Sequence, residues 1–240
     1  MKKIILFTFL LILIITGCSD KKHKSKFNQL SSSSFGLKGN IASFSEKRFP
    51  AILINDSIHE LVKEPSGKIE IHKYFNKENV LLESENYDSD GNLFSVIKFL
   101  NDNSNKFYGT KTYDKNKRQI SESQVINSTD SSVIIETLNL NQNSTSTSKM
   151  TYDKNGLIIL NRTIINDTSS FEWQYLRNNE GRILLTRMIN KFGSQIDTSV
   201  LYAKYLEFDS SGNWSKRIDY NSEKGDEIYV YERKIEYRNE

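Results

Sequence analysis

The chain opens on an apolar run, residues 4–15, broken only by Thr8, and no later stretch matches it. From residue 35 onward the pattern changes. Short segments rich in Ile, Val, Thr, Tyr and Phe alternate with clusters of Asn, Asp, Ser and Gly, and no long stretch carries a helical 3.6-residue period. Segments 93–100, 132–140, 157–165, 183–189, 201–208, 214–220 and 228–237 are predicted strands, while 58–62 fits either a strand or a short helix. The predicted fold class is all-β.

Between these segments one string recurs. Tyr87-Asp88-Ser89-Asp90-Gly91, Tyr152-Asp153-Lys154-Asn155-Gly156 and Phe208-Asp209-Ser210-Ser211-Gly212 share it, and Tyr113-Asp114-Lys115-Asn116-Lys117 is an eroded copy. Asn178-Asn179-Glu180-Gly181 and Asn76-Lys77-Glu78-Asn79 carry Asn in place of Asp. Aspartate suits the first position of a type I turn because its side chain accepts the N–H two residues on, and glycine at the fourth accepts a left-handed conformation. Each copy is therefore a predicted hairpin tip with a bulge. The glycine-equivalent positions 79, 91, 117, 156, 181 and 212 are spaced 12, 26, 39, 25 and 31 apart, too unevenly for a tight solenoid. They fit tips that alternate with variable connections at the opposite edge, around 101–105, 128–131, 141–148, 166–170, 190–198 and 221–226. The architecture expected is a long antiparallel β-meander of about a dozen or more strands in one twisted or curled sheet. A half-barrel or sandwich is the alternative.

These copies, with Phe35-Gly36-Leu37-Lys38-Gly39-Asn40-Ile41 as an opening strand and Gly212-Asn213-Trp214-Ser215-Lys216-Arg217 and Glu232-Arg233-Lys234-Ile235-Glu236-Tyr237 as a closing hairpin, resemble bacterial envelope lipoproteins with degenerate YD (RHS-like) repeats. The likeness spans most of 36–237. It implies a fold and a location and supplies no activity, since that family is mostly of unknown function.

The N-terminus adds an address. Lys2 and Lys3 precede the apolar run, which fits a signal-peptide core and is shorter than the roughly 20 residues of a spanning helix. Ile15-Thr16-Gly17-Cys18 resembles the lipobox of bacterial lipoproteins. The expected organisation is a signal peptide over 1–17, lipidation (palmitate) on Cys18 with a flexible tether to residue 34, and a single β domain over 35–240. Cleavage before Cys18 would free the only thiol for the anchor, so no disulfide or thiolate chemistry is expected downstream. Removing the two lysines leaves 31 basic against 30 acidic residues, from 33 and 30 in the whole chain, which argues against nucleic-acid binding. The expected location is the cell envelope, with the chain tethered to the outer membrane and facing the periplasm.

Catalytic chemistry is sparse. Asp88-Ser89-Asp90-Gly91-Asn92 starts like a calcium loop, but Leu93 and Phe99 stand where glycine and glutamate are needed. His23, His59 and His72 have no metal-ligand spacing, and no Gly-x-Ser-x-Gly occurs. No cofactor or metal is expected, and no catalytic residue is assigned. Trp214, Tyr220, Tyr229, Tyr231, Arg233 and Tyr237 form the candidate binding face, with Arg233 over an aromatic ring; cross-strand stiffening is the competing reading. Segments 157–165 and 183–189 are apolar on both faces, which suggests either two-sided burial or an apolar cargo. The leading expectation is a non-enzymatic, membrane-anchored binding or scaffold protein for an envelope protein, glycan or lipid. A periplasmic carrier or chaperone of apolar cargo is the alternative, and a glycan-acting enzyme the third.

Overall fold

Local turn chemistry sets the strand ends. The computed structural model describes residues 29–54, 57–60, 68–221 and 227–239, so the signal segment, Cys18, His23 and most of the tether lie outside the described residues. All six glycine-equivalent positions have positive φ: Asn79 (60°), Gly91 (80°), Lys117 (62°), Gly156 (82°), Gly181 (81°) and Gly212 (77°). The leading Asp or Asn accepts backbone N–H bonds through Oδ1 from residues two and four further on. Asp88 does so from Asp90 and Asn92, and Asp209 from Ser211 and Asn213, at 2.9–3.0 Å. Asn76, Asp114, Asp153 and Asn178 repeat the pair. A further copy, Asp102 with Asn105 (φ 63°), sits where a variable connection was expected; Asn in place of glycine hid it.

Lys117 holds the left-handed conformation with a side chain that disfavours it. Lys117→Gly is therefore expected to stabilise the fold by about 1 kcal/mol, read as a higher urea midpoint with an unchanged m value. An unchanged midpoint would refute it.

Fifteen strands follow: β1 Ile41–Ile54, β2 Ser57–Glu60, β3 Ile69–Phe75, β4 Leu81–Tyr87, β5 Leu93–Asn101, β6 Phe107–Asp114, β7 Gln119–Ser128, β8 Ser132–Asn139, β9 Ser144–Tyr152, β10 Ile158–Asn166, β11 Ser169–Arg177, β12 Ile183–Phe192, β13 Gln195–Phe208, β14 Trp214–Tyr220 and β15 Glu227–Tyr237. The all-β antiparallel meander is as expected. The helical option at 58–62 gives way to β2 through Glu60, and Phe35 lies in a 3₁₀ turn, Ser32–Phe35, so the opening strand begins only at Ile41.

The open or half-closed sheet is corrected. β15 returns to pair with β1 from Ile41↔Tyr237 to Ile52↔Glu227, and β1 pairs with β3, closing a 14-strand barrel with β2 outside the count. Accumulated twist brings the first and last strands of a long meander together, and pairing them removes both exposed edges. The antiparallel alternation explains the uneven turn spacing. Tips at 76–79, 102–105, 153–156, 178–181 and 209–212 lie on one rim, whereas 88–91 and 114–117 lie on the other. Counted along one rim, Asn79 to Asn105 is 26 residues and Gly156 to Gly181 is 25.

Residues 29–40 cross the first rim as a plug, although 29–34 were assigned to the tether. Leu81 N donates to Leu30 O at 2.8 Å and Ser32 N to Asn79 O at 2.9 Å. Across the seam, at the β13–β14 tip, Asn213 accepts from Lys38 N (2.8 Å) and donates to Lys38 O (2.9 Å) and the Tyr237 hydroxyl (2.7 Å). Leu30, Phe35 and Leu37 are thereby driven into the mouth, against Phe44, Phe75, Leu81, Phe107, Val133, Ile135 and Tyr152.

Beyond this core the lumen is lined differently. Directly paired residues Met150, Asn161, Trp173, Met188 and Ser199 share the inward face with Phe171 and Phe192 on β11 and β12. These side chains are only half-buried, and Phe192 is 51% exposed. The outer wall carries charges in mid-strand: Lys149, Arg162 and Glu172 are cross-strand neighbours, and Gln174 pairs with Arg187. A lipid-facing barrel would lose about 2–4 kcal/mol for each such basic residue near mid-membrane, so this stretch of the wall, β9–β12, reads as water-facing. The two-sided burial considered for 157–165 and 183–189 does not occur, since Ile159, Ile164, Ile165 and Leu184 are exposed.

Candidate functional site

Barrel closure brings together residues that the sequence keeps far apart. β1 presents Phe44 and Glu46 inward, β3 Ile71 and Lys73, β11 Tyr175 and Arg177, β13 Tyr205, β14 Trp214 and Arg217, and β15 Arg233, around a cavity of about 320 Å³. Contact with strands on both sides of the seam places this cavity inside the barrel. Phe35 and Gly36 of the plug roof it, and Gly181 with Arg182 closes the rim side.

Two ion pairs build the floor, one buried and one partly so. Arg233 donates through Nη2 and Nε to Glu46 Oε2 at 2.6 and 3.2 Å, across 187 residues of sequence. Arg217 donates through Nη2 to Asp219 Oδ2 at 3.0 Å, with Nε 2.8 Å from Oδ1. Trp214 lies between the two arginines: Cζ of Arg233 is 3.7 Å from its ring centroid and Cζ of Arg217 4.9 Å. Arg217 also covers Tyr231 at 4.2 Å, and Arg233 covers Phe44 at 4.8 Å. Burial alone raises the Glu46 carboxyl, but the Arg233 and Arg217 charges outweigh it and hold the group below its usual value. Among the described residues Arg233 Nη1 is buried without a hydrogen-bond partner.

Lys73 reaches the same space. Its Nζ donates to Ser84 Oγ at 3.2 Å and lies 5.5 Å from the Phe35 ring. Burial lowers the ammonium pKa to about 8; Glu46 pulls it up and Arg233 pushes it further down. Below pH 8 the ammonium is charged in both folded and unfolded chains and the desolvation cost is fully present. As pH rises above 8 the folded chain loses this proton before the unfolded chain does, so stability rises. We expect wild type to gain up to about 3 kcal/mol relative to Lys73→Met between pH 7 and pH 10, measured by urea unfolding at each pH. Parallel pH profiles for the two proteins would refute it.

The six residues of the candidate face do not share one surface. Trp214, Tyr231 and Arg233 converge in the lumen, and Tyr229 lies on the same side of β15 under Arg48, 5.2 Å away. Tyr220 stacks on Tyr202, its cross-strand partner, and is 36% exposed. Tyr237 sits at the rim, where its hydroxyl donates to Asp209. Sequence reasoning missed Glu46, Lys73, Arg177, Arg182 and Arg217. The signal was present for two of them: Glu46 follows Phe44 at the strand period, and Lys73 lies between Ile71 and Phe75, so each charge sits on an apolar stripe.

No protein-family model and no curated protein matches the chain. Among solved structures it is similar to a porin-like protein from Bacteroides uniformis (10% identity, covering 83% of this chain and 98% of that one, TM-score 0.35). It is also similar to a LolA-superfamily protein from Nitrosomonas europaea (9%, 85% and 89%, TM-score 0.30) and a DUF1329-family protein from Desulfovibrio piger (8%, 82% and 86%, TM-score 0.23). Likenesses this shallow leave function to the geometry of the site. The resemblance to YD-repeat envelope lipoproteins is corrected: no family model supports it, and the Tyr-Asp strings cap both rims of a closed barrel. An Asx turn ending in a left-handed residue is a common local solution for a tight hairpin, so the string marks turns and not membership.

Proposed function

We propose that this protein is a carrier of the cell envelope that holds an apolar or amphiphilic molecule inside its barrel, kept at a membrane by lipid on Cys18. One observation carries the reading. The inward face of β10–β12, with Trp173, Met188, Phe171 and Phe192, stays half-exposed inside a barrel whose outer wall carries Lys149, Arg162 and Glu172 in mid-strand beside exposed aliphatic residues. Apolar surface left wet in a lumen is stabilised by whatever covers it, at roughly 25 cal/mol per Å². Such surface is more often a binding site than a solvated wall. The paucity of catalytic residue types favours holding over turnover.

Native mass spectrometry of the protein purified gently from envelope fractions tests the proposal. A lipid-sized adduct that organic extraction removes is the expected result. A bare-chain mass in the unextracted sample would end the carrier reading and return attention to a scaffold with a protein or glycan partner. Palmitate labelling that is lost in Cys18→Ala checks the anchor separately.

A further inference from the structure

The plugged end of the lumen differs in kind from the aromatic stretch of β11 and β12, because cations converge there. Lys73, Arg177, Arg182, Arg217 and Arg233 line the cavity, against Glu46 as the one acid lining it. Counting also the partners just behind, Asp219 on Arg217 and Glu180 on Arg182, leaves five cations facing three acids. Self-paired clusters balance their charges; this one does not. Arg233 supplies the independent sign: it lines the cavity with a side chain only 7% exposed, and its Nη1 is buried without a hydrogen-bond partner. A buried guanidinium N–H left unmade is costly, and an anion seated against it would restore the bond in charge-assisted form.

From this arrangement we infer that the cavity is a seat for a phosphate or carboxylate group, the anionic head of an amphiphile whose apolar part lies on the half-buried inward face of β11 and β12. Its volume suits a head group with a few attached carbons and not a whole lipid. Continuity supports the placement: Tyr175 lines the cavity and stands two residues from Trp173 on the same face of β11. Trp214 and Phe44, already covered by arginine, fix the floor, while Phe35 closes the roof. The apolar part of the inference rests on the carrier reading, whereas the anion seat stands on its own charges.

Titration calorimetry of the full chain with decyl phosphate, 1-decanol and inorganic phosphate separates the two. Decyl phosphate is expected to bind at least about tenfold more tightly than decanol, the gain of one charge-assisted bond. Lys73→Met should narrow that ratio about fivefold or more. Glu46→Gln, which removes the competing acid and frees Arg233, should widen it by a similar factor. A fold defect alone would move both variants the same way. Binding of inorganic phosphate as tight as decyl phosphate, with the same variant pattern, supports the seat with free phosphate as its ligand and counts against the carrier. Equal affinity for decanol and decyl phosphate, unmoved by either variant, overturns the seat and leaves the carrier reading intact.

Discussion

Replacing Arg233 by Met destabilises the protein by about 3 kcal/mol, because the partner it abandons is a largely buried carboxylate. Glu46 would keep Arg217 and Lys73 at a distance but lose its direct bonds at 2.6 and 3.2 Å. The Trp214 and Phe44 rings would also lose the cation that now lies over them. Removing both partners at once is cheaper, since no uncompensated charge remains: Glu46→Gln combined with Arg233→Met should cost about 2 kcal/mol or less. Urea unfolding of wild type, both singles and the double closes the cycle. A double variant as unstable as the sum of the singles would mean that the pair is not coupled, and the account of the cavity floor would be wrong.

Gly109→Ala is the second large effect. A Cβ at this position would lie 2.2 Å from the backbone oxygen of Ser123 and 3.4 Å from Gln124 Cα, so β6 and β7 must part where they now pair. No side-chain movement relieves a clash with backbone, and we expect a loss of about 3 kcal/mol or more, or a drop of roughly 6–12 °C in Tm. Gly91→Asn provides the contrast. Its φ of +80° is a conformation that Asn79 and Asn105 already hold, and no atom lies within 4 Å of the added Cβ. That substitution should cost less than about 1 kcal/mol. Equal losses for the two glycines would refute this division between contact and conformation.

The candidate site was legible only in fragments. Trp214 and Arg233 stood out because aromatic and cationic residues crowd the last two strands, and strand alternation put Tyr231 with Arg233 on one face. Nothing local ties Arg233 to Glu46 or Lys38 to Asn213, which meet across 187 and 175 residues. The four serines at 31–34 looked like linker, yet Ser32 and Ser34 are buried beneath the turn that seats Phe35. Small hydroxyl side chains satisfy a tight 3₁₀ turn as readily as they solvate a tether, so composition could not separate the two.

What the sequence determined by itself was everything decided within a few residues. The period of two set the strands, and an Asp or Asn followed three positions later by a left-handed residue set where the chain reverses. Tertiary structure alone decided that β15 meets β1, and that five cations share one cavity. Those outcomes depend on twist summed over fourteen strands and on charges brought together only by closure, and neither quantity exists in any short window of the chain.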